Sequence, residues 1–103
     1  MARYLLNRTQ TPGRAALAIA HALRVEQIAA AIERYLLIHP AAADSVVGIT
    51  QWWLPVVGVE ADCEEVEKAL MLLQTRGVVE SVFTTDRQRF WRLTGAVIEG
   101  DQP

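Results

Sequence analysis

Cysteine is nearly absent from this chain of 103 residues, because Cys63 is the only one. A single cysteine excludes an internal disulfide and is typical of a protein that folds in a reducing compartment. Histidine is also scarce, and His21 and His39 lie far from any set of metal-ligating residues. The spacing supports neither a metal site nor a cysteine–histidine nucleophile pair, so we expect no metal, no cofactor and no catalytic residue.

Glycine-rich phosphate loops are missing as well, since the six glycines are scattered along the chain. Glu64, Glu65 and Glu67 are close in sequence, but they fall on a predicted exposed turn that offers little burial for an acid–base pair. No small-molecule site is evident. Enzyme activity is therefore the least favoured class, and we expect a non-enzymatic binding module.

Long apolar runs are also lacking. The strongest run near the N-terminus covers residues 15–20 and is rich in alanine, whereas a membrane span needs roughly 20 apolar residues. Arg3, Arg8 and Arg14 precede this run, which leaves a secretory signal open, but the run is weak and continues into a helical pattern. We expect a cytoplasmic protein without a membrane partner.

An excess of basic residues is absent too, because the net charge is -2 and the pI is about 5.6. Dedicated nucleic-acid binders usually have a basic bias, although a local basic patch is sometimes enough. The chain has the length of one domain, and its apolar share of 51% is sufficient for one core.

The clearest helical pattern extends from Arg24 to His39, where Pro40 ends it. Its apolar residues recur at spacings of three and four. They are Val25, Ile28, Ala29, Ile32 and Leu36. The alanine-rich residues 14–23 also favour a helix, with Thr11 as cap and Pro12 at its first position, and the two segments can form one continuous helix. Tyr4-Leu5-Leu6 is compatible with a short strand or a docked arm.

A second helix is predicted from Ser45 to Leu54, after a connection over residues 41–43. Asp44 is its expected cap, and Pro55 is its expected boundary. Gly48 leaves an alternative open, in which Ser45–Ile49 is extended and Thr50 caps a very short helix.

A third helix is predicted to begin after Asp62, with Glu65 three residues later as an acidic variant of the capping box. Its expected buried face consists of Val66, Ala69, Leu70 and Leu73. Gly77 is the expected left-handed residue after its end. Two strands, residues 78–83 and 89–93, then flank a polar hairpin tip at residues 84–88. Beyond Gly95 we expect a frayed tail, in which Ala96-Val97-Ile98 can pack back or extend a short helix.

The run from Val59 to Glu80 resembles the recognition helix and first wing strand of bacterial winged-helix regulators. It has a capping residue, a valine, leucines on the core face, then Arg76-Gly77 and an apolar pair. Trp91-Arg92-Leu93-Thr94 is similar to the end of their second wing strand. The resemblance implies a mainly α fold with a small β-hairpin, a winged helix-turn-helix of three core helices and a two-stranded wing, with an extra N-terminal helical segment. We predict an arm at residues 1–23, the winged-helix domain at 24–94 and a tail at 95–103.

Protein–protein contact or self-association is the favoured function. Adjacent helical residues point about 100 degrees apart, so we expect one of Trp52 and Trp53 in the core and the other at a partner surface. Burial of both in the core of a small protein is equally compatible with the sequence. The third helix begins with a cluster of acidic residues that is unsuited to phosphate. The candidate partner-binding residues are Trp52, Trp53, Glu64, Glu65 and Lys68.

The alternative function is that of a DNA-binding regulator, which the resemblance implies because DNA-binding members use the third helix and the wing. Such a protein would dimerise through its N-terminal helix. Its candidate DNA contacts are Arg87, Gln88, Arg89 and Arg92 in the wing. Arg3, Arg8, Arg14 and Arg24 make the N-terminal part basic too. The wing and N-terminal arginines are at least equally compatible with a solvated rim that forms ion pairs with the acidic helix.

Overall fold

The computed structural model describes residues 13–95 as three helices and a small antiparallel sheet. The first helix, α1, spans Gly13–Ile38, and a short strand, β1, follows at Ala43–Asp44. Helix α2 extends from residue 46 to residue 56, and helix α3 spans Cys63–Thr75. The strands β2, Val79–Phe83, and β3, Arg89–Leu93, form the hairpin. The predictions made for Arg3, Tyr4-Leu5-Leu6, Arg8, Thr11, Pro12 and Ala96-Val97-Ile98 lie outside the described residues.

Helix α1 is one continuous helix of 26 residues, so the predicted boundary between residues 23 and 24 falls inside it. The apolar stripe is confirmed: Ile28, Ala29, Ile32 and Leu36 are buried, together with Ala31. The helix ends before His39-Pro40, as the proline requires. In contrast, residues 13–23 are all exposed, so the N-terminal part of α1 extends beyond the domain core.

Helix α2 differs from its prediction at both ends. Ser45, not Asp44, is its N-cap, with the hydroxyl accepting a hydrogen bond from the Gly48 N–H at 3.2 Å. Asp44 instead lies in β1 and accepts from the Ser45 N–H at 2.8 Å. The alternative with an extended Ser45–Ile49 is wrong. The helix also passes Pro55 and ends at Val56, because its middle segment, Ile49–Trp53, is a π-helix.

The sheet has three strands in the order β1-β3-β2, so the prediction of a two-stranded wing is wrong. Residues 41–43 were expected to be a connection, but Ala43 pairs with Arg92, and Asp44 pairs with Trp91. A strand of two residues is too short for any periodicity to reveal it in the sequence. The hairpin itself is confirmed, and its register places Ser81 opposite Trp91.

Helix α3 begins and ends as predicted. Asp62 and Glu65 form a complete capping box, in which the Glu65 N–H donates to Asp62 at 2.8 Å and the Asp62 N–H donates to Glu65 at 3.1 Å. Gly77 has a φ of +77°, a conformation that is costly for a residue with a Cβ. The chain therefore reverses into β2 directly after the helix.

One apolar core joins the helices and the sheet. Helix α1 packs mainly against α3, and Trp91 of β3 closes the core from the sheet side. The members that α2, α3 and the sheet contribute are Ile49, Trp53, Leu54, Val66, Ala69, Leu70, Leu73, Val79 and Trp91. The predicted buried face of α3 is confirmed in all four positions.

Candidate interaction surface

The two adjacent tryptophans of α2 point in different directions, as adjacent helical residues do, and they lie in a π segment of the helix. Gly48 and Ile49 are buried, and the next buried pair, Trp53 and Leu54, follows five residues later. That spacing matches the hydrogen bond from the Leu54 N–H to the Ile49 oxygen, which spans five residues instead of four. Trp53 is 3% exposed and Trp52 is 67% exposed. One tryptophan therefore belongs to the core and the other to the surface, as predicted.

Trp52 is the centre of an apolar surface on α2. Val47 lies five residues before it and Val56 four residues after it, and these side chains are 52% and 66% exposed. Pro55 is exposed beside Val56. We call these four residues the Trp52 face. Contiguous exposed apolar side chains are uncommon on monomeric proteins and usually mark a contact surface.

An open depression of about 710 Å³ adjoins the Trp52 face through Pro55. Val59 contributes a second apolar wall, and Arg24 and Glu60 contribute charge. The Arg24 guanidinium is held there, because its Nε donates to Glu65 Oε2 at 3.2 Å and its Nη2 donates to the Glu60 carbonyl oxygen. The depression is therefore a groove of mixed character, with Pro55 and Val59 beside the charged Arg24 and Glu60. No local pattern indicates it, since Arg24 and Glu60 are distant along the chain.

In the acidic first turn of α3, Glu65 has a structural role and Glu64 is exposed to solvent. Glu65 completes the capping box and pairs with Arg24, and the Arg24 guanidinium lowers the pKa of its carboxyl, helped by the Asp62 N–H. Glu64 is different, because its side chain is 80% exposed. Lys68 lies 4.0 Å from Glu64, and its Nζ is 3.3 Å from Nε2 of His21. Of the candidate acids, Glu64 is thus available to a partner, and Glu65 is engaged within the domain.

The hairpin does not bring its arginines together into one basic face. Arg92 pairs with Glu80 across the sheet at 2.8 Å. The Arg89 guanidinium lies 4.4 Å from the centroid of the Trp91 ring system, a cation–π contact. Of the arginines expected to pair with the acidic helix, Arg24 of α1 does so through Glu65, whereas the expectation is wrong for Arg89 and Arg92.

The hairpin tip presents the other two candidates. Arg87 and Gln88 are exposed, and Arg87 has a positive φ of 70°. The backbone of Gln88 closes the tip, since its carbonyl oxygen accepts from the Thr84 N–H at 2.8 Å. Arg87 is thus the one wing arginine, among the described residues, whose guanidinium has no ion pair or aromatic contact.

Cys63 is exposed at the start of α3. Within residues 13–95, no three histidine, cysteine or acidic side chains lie close enough together to hold a metal ion. His39 packs against Tyr35 with ring centroids 4.6 Å apart.

Comparison of the chain with protein-family models, with curated proteins and with solved structures found no match.

Proposed function

We propose that this chain is a winged-helix interaction module that binds a protein partner through the Trp52 face. The order of elements supports the winged-helix assignment, because the third helix leads into a hairpin and the strand between the first two helices lies beside the last strand. The observation that carries the function is the 67% exposure of Trp52, next to Val47 and Val56. Tryptophan is over-represented among the residues that dominate protein interfaces.

The occupant that fits this surface is a protein segment with an apolar face and a basic residue at its edge. Its apolar side chains would cover Trp52 and Val56 and enter the groove beside Pro55 and Val59. The Glu60 side chain is exposed at that end, and Glu64 follows in the first turn of α3. A lysine or arginine of the partner would meet these carboxylates at the rim, where charge sets orientation and selectivity.

The distribution of positive charge argues against the usual use of this fold on DNA. Affinity for DNA depends largely on lysine and arginine side chains that neutralise phosphates. Among residues 13–95, most basic groups already have a protein contact: Arg24 with Glu65, Arg76 with Glu26, Arg92 with Glu80, Lys68 with Glu64, and Arg89 with Trp91. The first turn of α3, which DNA-binding members insert into the major groove, is acidic here.

A peptide-display selection tests the proposal. A random library is selected on the purified native protein without depletion, and the enriched peptides are then titrated by fluorescence against the native protein and its variants. We expect apolar peptides with at least one basic residue, whose affinity falls by roughly tenfold or more on Trp52→Ala. Gln51→Ala is the matched control, because Gln51 is an exposed neighbour outside the apolar surface.

Two results would overturn the proposal. One is a selection whose peptides bind the Trp52→Ala variant as tightly as the native protein. The other is binding of random duplex DNA at low salt with a steep salt dependence that is lost in an Arg87→Ala, Arg89→Ala double variant. The second result would establish the DNA-binding alternative.

A further inference from the structure

The first three turns of α1 form a second unpartnered apolar surface, distant from the Trp52 face in the sequence. We call residues 13–23 the α1 extension. Every residue in it is exposed, and its large apolar side chains Leu17, Ile19 and Leu23 are 59%, 61% and 58% exposed. The first core residue of α1 is Ile28, and the extension contacts α3 at its C-terminal end, where His21 lies 3.3 Å from Lys68 and the adjoining Arg24 donates a hydrogen bond to Glu65.

A helix segment with this composition requires a covering surface. Eleven residues extend for about 16 Å, and isolated helices of that length are marginal in water. Leu17 and Leu23 lie about 60° to either side of Ala20 around the helix, and Ile19 lies about 100° from it, so the extension is apolar around most of its circumference. Helices of that kind are found buried against protein or lipid.

A membrane span does not account for the exposed side chains. Helix α1 is long and apolar enough to cross a membrane by length and composition, with a mean hydropathy of 1.4 over its best window. However, Ile28, Ile32 and Leu36 belong to the domain core, which leaves only about 16 Å of free helix for a hydrocarbon layer of about 30 Å. The preceding sequence, Asn7-Arg8-Thr9-Gln10, is polar and would not extend the span.

Charge complementarity identifies the covering surface. The sequence up to Val25 contains four arginines and no acidic residue, whereas Glu60, Asp62, Glu64, Glu65 and Glu67 make the start of α3 strongly acidic. The two regions meet at Arg24, which donates to Glu65 and to the Glu60 carbonyl oxygen. Each copy of the chain therefore presents a basic apolar helix that emerges next to an acidic patch.

We propose that two copies of this chain pair through their α1 extensions, antiparallel about a two-fold axis near Ala20. In this arrangement Leu17 of each copy lies opposite Leu23 of the other, and small alanine side chains occupy the crossing. Arg14 of each copy reaches the turn around Arg24 in the other. The exposed Glu60 and Glu64 at the start of α3 are the acids open to it there, since Glu26 is already paired with Arg76. A parallel pair would instead place Arg14 against Arg14 and the two acidic patches side by side.

Sedimentation velocity on the full chain provides the first test. We expect the native protein to be a dimer, and a Leu17→Lys, Leu23→Lys double variant to be a monomer with an unchanged helical circular dichroism spectrum. Leu37→Lys is the matched control, because Leu37 is 81% exposed at the other end of the same helix and should leave the dimer intact. Arg14→Glu should weaken the dimer by roughly tenfold, because two contacts change sign.

Cross-linking tests the orientation of the two helices. In a Cys63→Ser background, Ala20→Cys should form a disulfide between copies on mild oxidation, because a two-fold axis brings this position close to itself. Ala16→Cys should not, since in the antiparallel pair it faces the turn around Arg24. Cross-linking at both positions would overturn the antiparallel arrangement in favour of a parallel one.

Three outcomes would overturn the proposal as a whole. The first is a native protein that sediments as a monomer at its highest soluble concentration. The second is a dimer that persists in the Leu17→Lys, Leu23→Lys variant. The third is a monomer that binds anionic phospholipid vesicles and loses that binding in the double variant, which would make a lipid surface the occupant. Trp52→Ala should leave the dimer intact, so this test and the peptide selection fail independently.

Discussion

The phenol ring of Tyr35 on α1 stacks on the indole of Trp53 on α2, with ring centroids 4.6 Å apart and 11° between their planes. This contact fixes α2 against α1 from within the core, because Trp53 is 3% exposed. The neighbouring Trp52 then has to face solvent, since Trp53 and Leu54 occupy the buried side of the helix. Core packing thus determines which tryptophan is presented to a partner.

The two tryptophans should respond oppositely to truncation. Trp53→Ala removes a buried aromatic side chain and its stack on Tyr35, so we expect a loss of about 3–5 kcal/mol in the free energy of unfolding. Trp52→Ala should change this free energy by less than about 0.5 kcal/mol, as exposed substitutions usually do. Urea titration followed by circular dichroism measures both. Equal losses for the two variants would contradict the assigned orientations.

Gly48 should be intolerant of alanine because of Asp44. A Cβ added at Gly48 would overlap the Asp44 carboxylate, which is held by the Ser45 N–H. Gly48→Ala must therefore displace the side chain that joins β1 to α2, and we expect a destabilisation of about 1–3 kcal/mol. Thermal and urea unfolding of the variant provide the measurement.

The same substitution in an Asp44→Ala background is the control. Without the carboxylate the overlap disappears, and alanine is favoured over glycine in a helix by up to about 1 kcal/mol. Gly48→Ala should then be neutral or stabilising. If it remains as harmful in this background, the Asp44 contact is not the reason for the glycine.

The parts of the fold that were predictable from the sequence are those with a local physical signature. The capping box of Asp62 and Glu65 and the positive φ of Gly77 depend on neighbouring residues, so α3 was located almost to the residue. The buried face of α3 followed from periodicity. The presence of one buried and one exposed tryptophan followed from helix geometry alone.

The parts that were not predictable depend on distant residues. Ala43 and Asp44 form a strand only because Arg92 and Trp91 of β3 are available to pair with them. The π segment of α2, which precedes Pro55, corresponds to an interval of five residues between two buried pairs. That interval cannot be recognised in the sequence before the buried residues are known. The pairing of Arg24 with Glu65 spans 41 residues, so no local pattern indicated it.

The Arg24–Glu65 pair should make stability depend on pH in the acid range. The guanidinium of Arg24 and then the N–H of Asp62 lower the pKa of Glu65 below its usual value of 4.5. The unfolded chain therefore binds a proton at Glu65 more readily than the folded protein does. The stabilisation is complete above pH 4.5 and is lost as the pH falls through the lowered pKa.

Glu65→Gln removes this pH dependence, and Arg24→Met reduces it to the part that the Asp62 N–H contributes. We expect the difference in unfolding free energy between the native protein and Glu65→Gln to be greatest at neutral pH and to shrink below about pH 4.5. The coupling between the two positions in a double-mutant cycle should decline over the same range. A difference that is constant from neutral to acid pH would show that Glu65 is not stabilised in its charged form.

Arg87 at the hairpin tip should be replaceable with a gain in stability. Its φ of 70° is left-handed, a conformation that costs an L-residue about 1–2 kcal/mol. Its N–H donates to the Thr84 carbonyl oxygen at 2.9 Å, so the turn depends on the backbone and not on the side chain. Arg87→Gly should remove this backbone strain and raise the free energy of unfolding by up to about 1 kcal/mol. The gain is smaller than the strain because glycine has more conformational freedom in the unfolded chain.

Arg87→Asn should also stabilise the hairpin, since asparagine tolerates the left-handed region better than arginine. Gln88→Asn is the control, because Gln88 is an exposed neighbour without a positive φ. Thermal unfolding of the three variants measures the effect, and a lower midpoint for both Arg87 variants would mean that the guanidinium stabilises the tip. Strained residues are found mainly where the side chain has a function. A gain in stability on replacement would therefore indicate that Arg87 contacts a partner. The peptides selected through the Trp52 face should bind Arg87→Gly with unchanged affinity, so any binding that the variant loses belongs to a different surface.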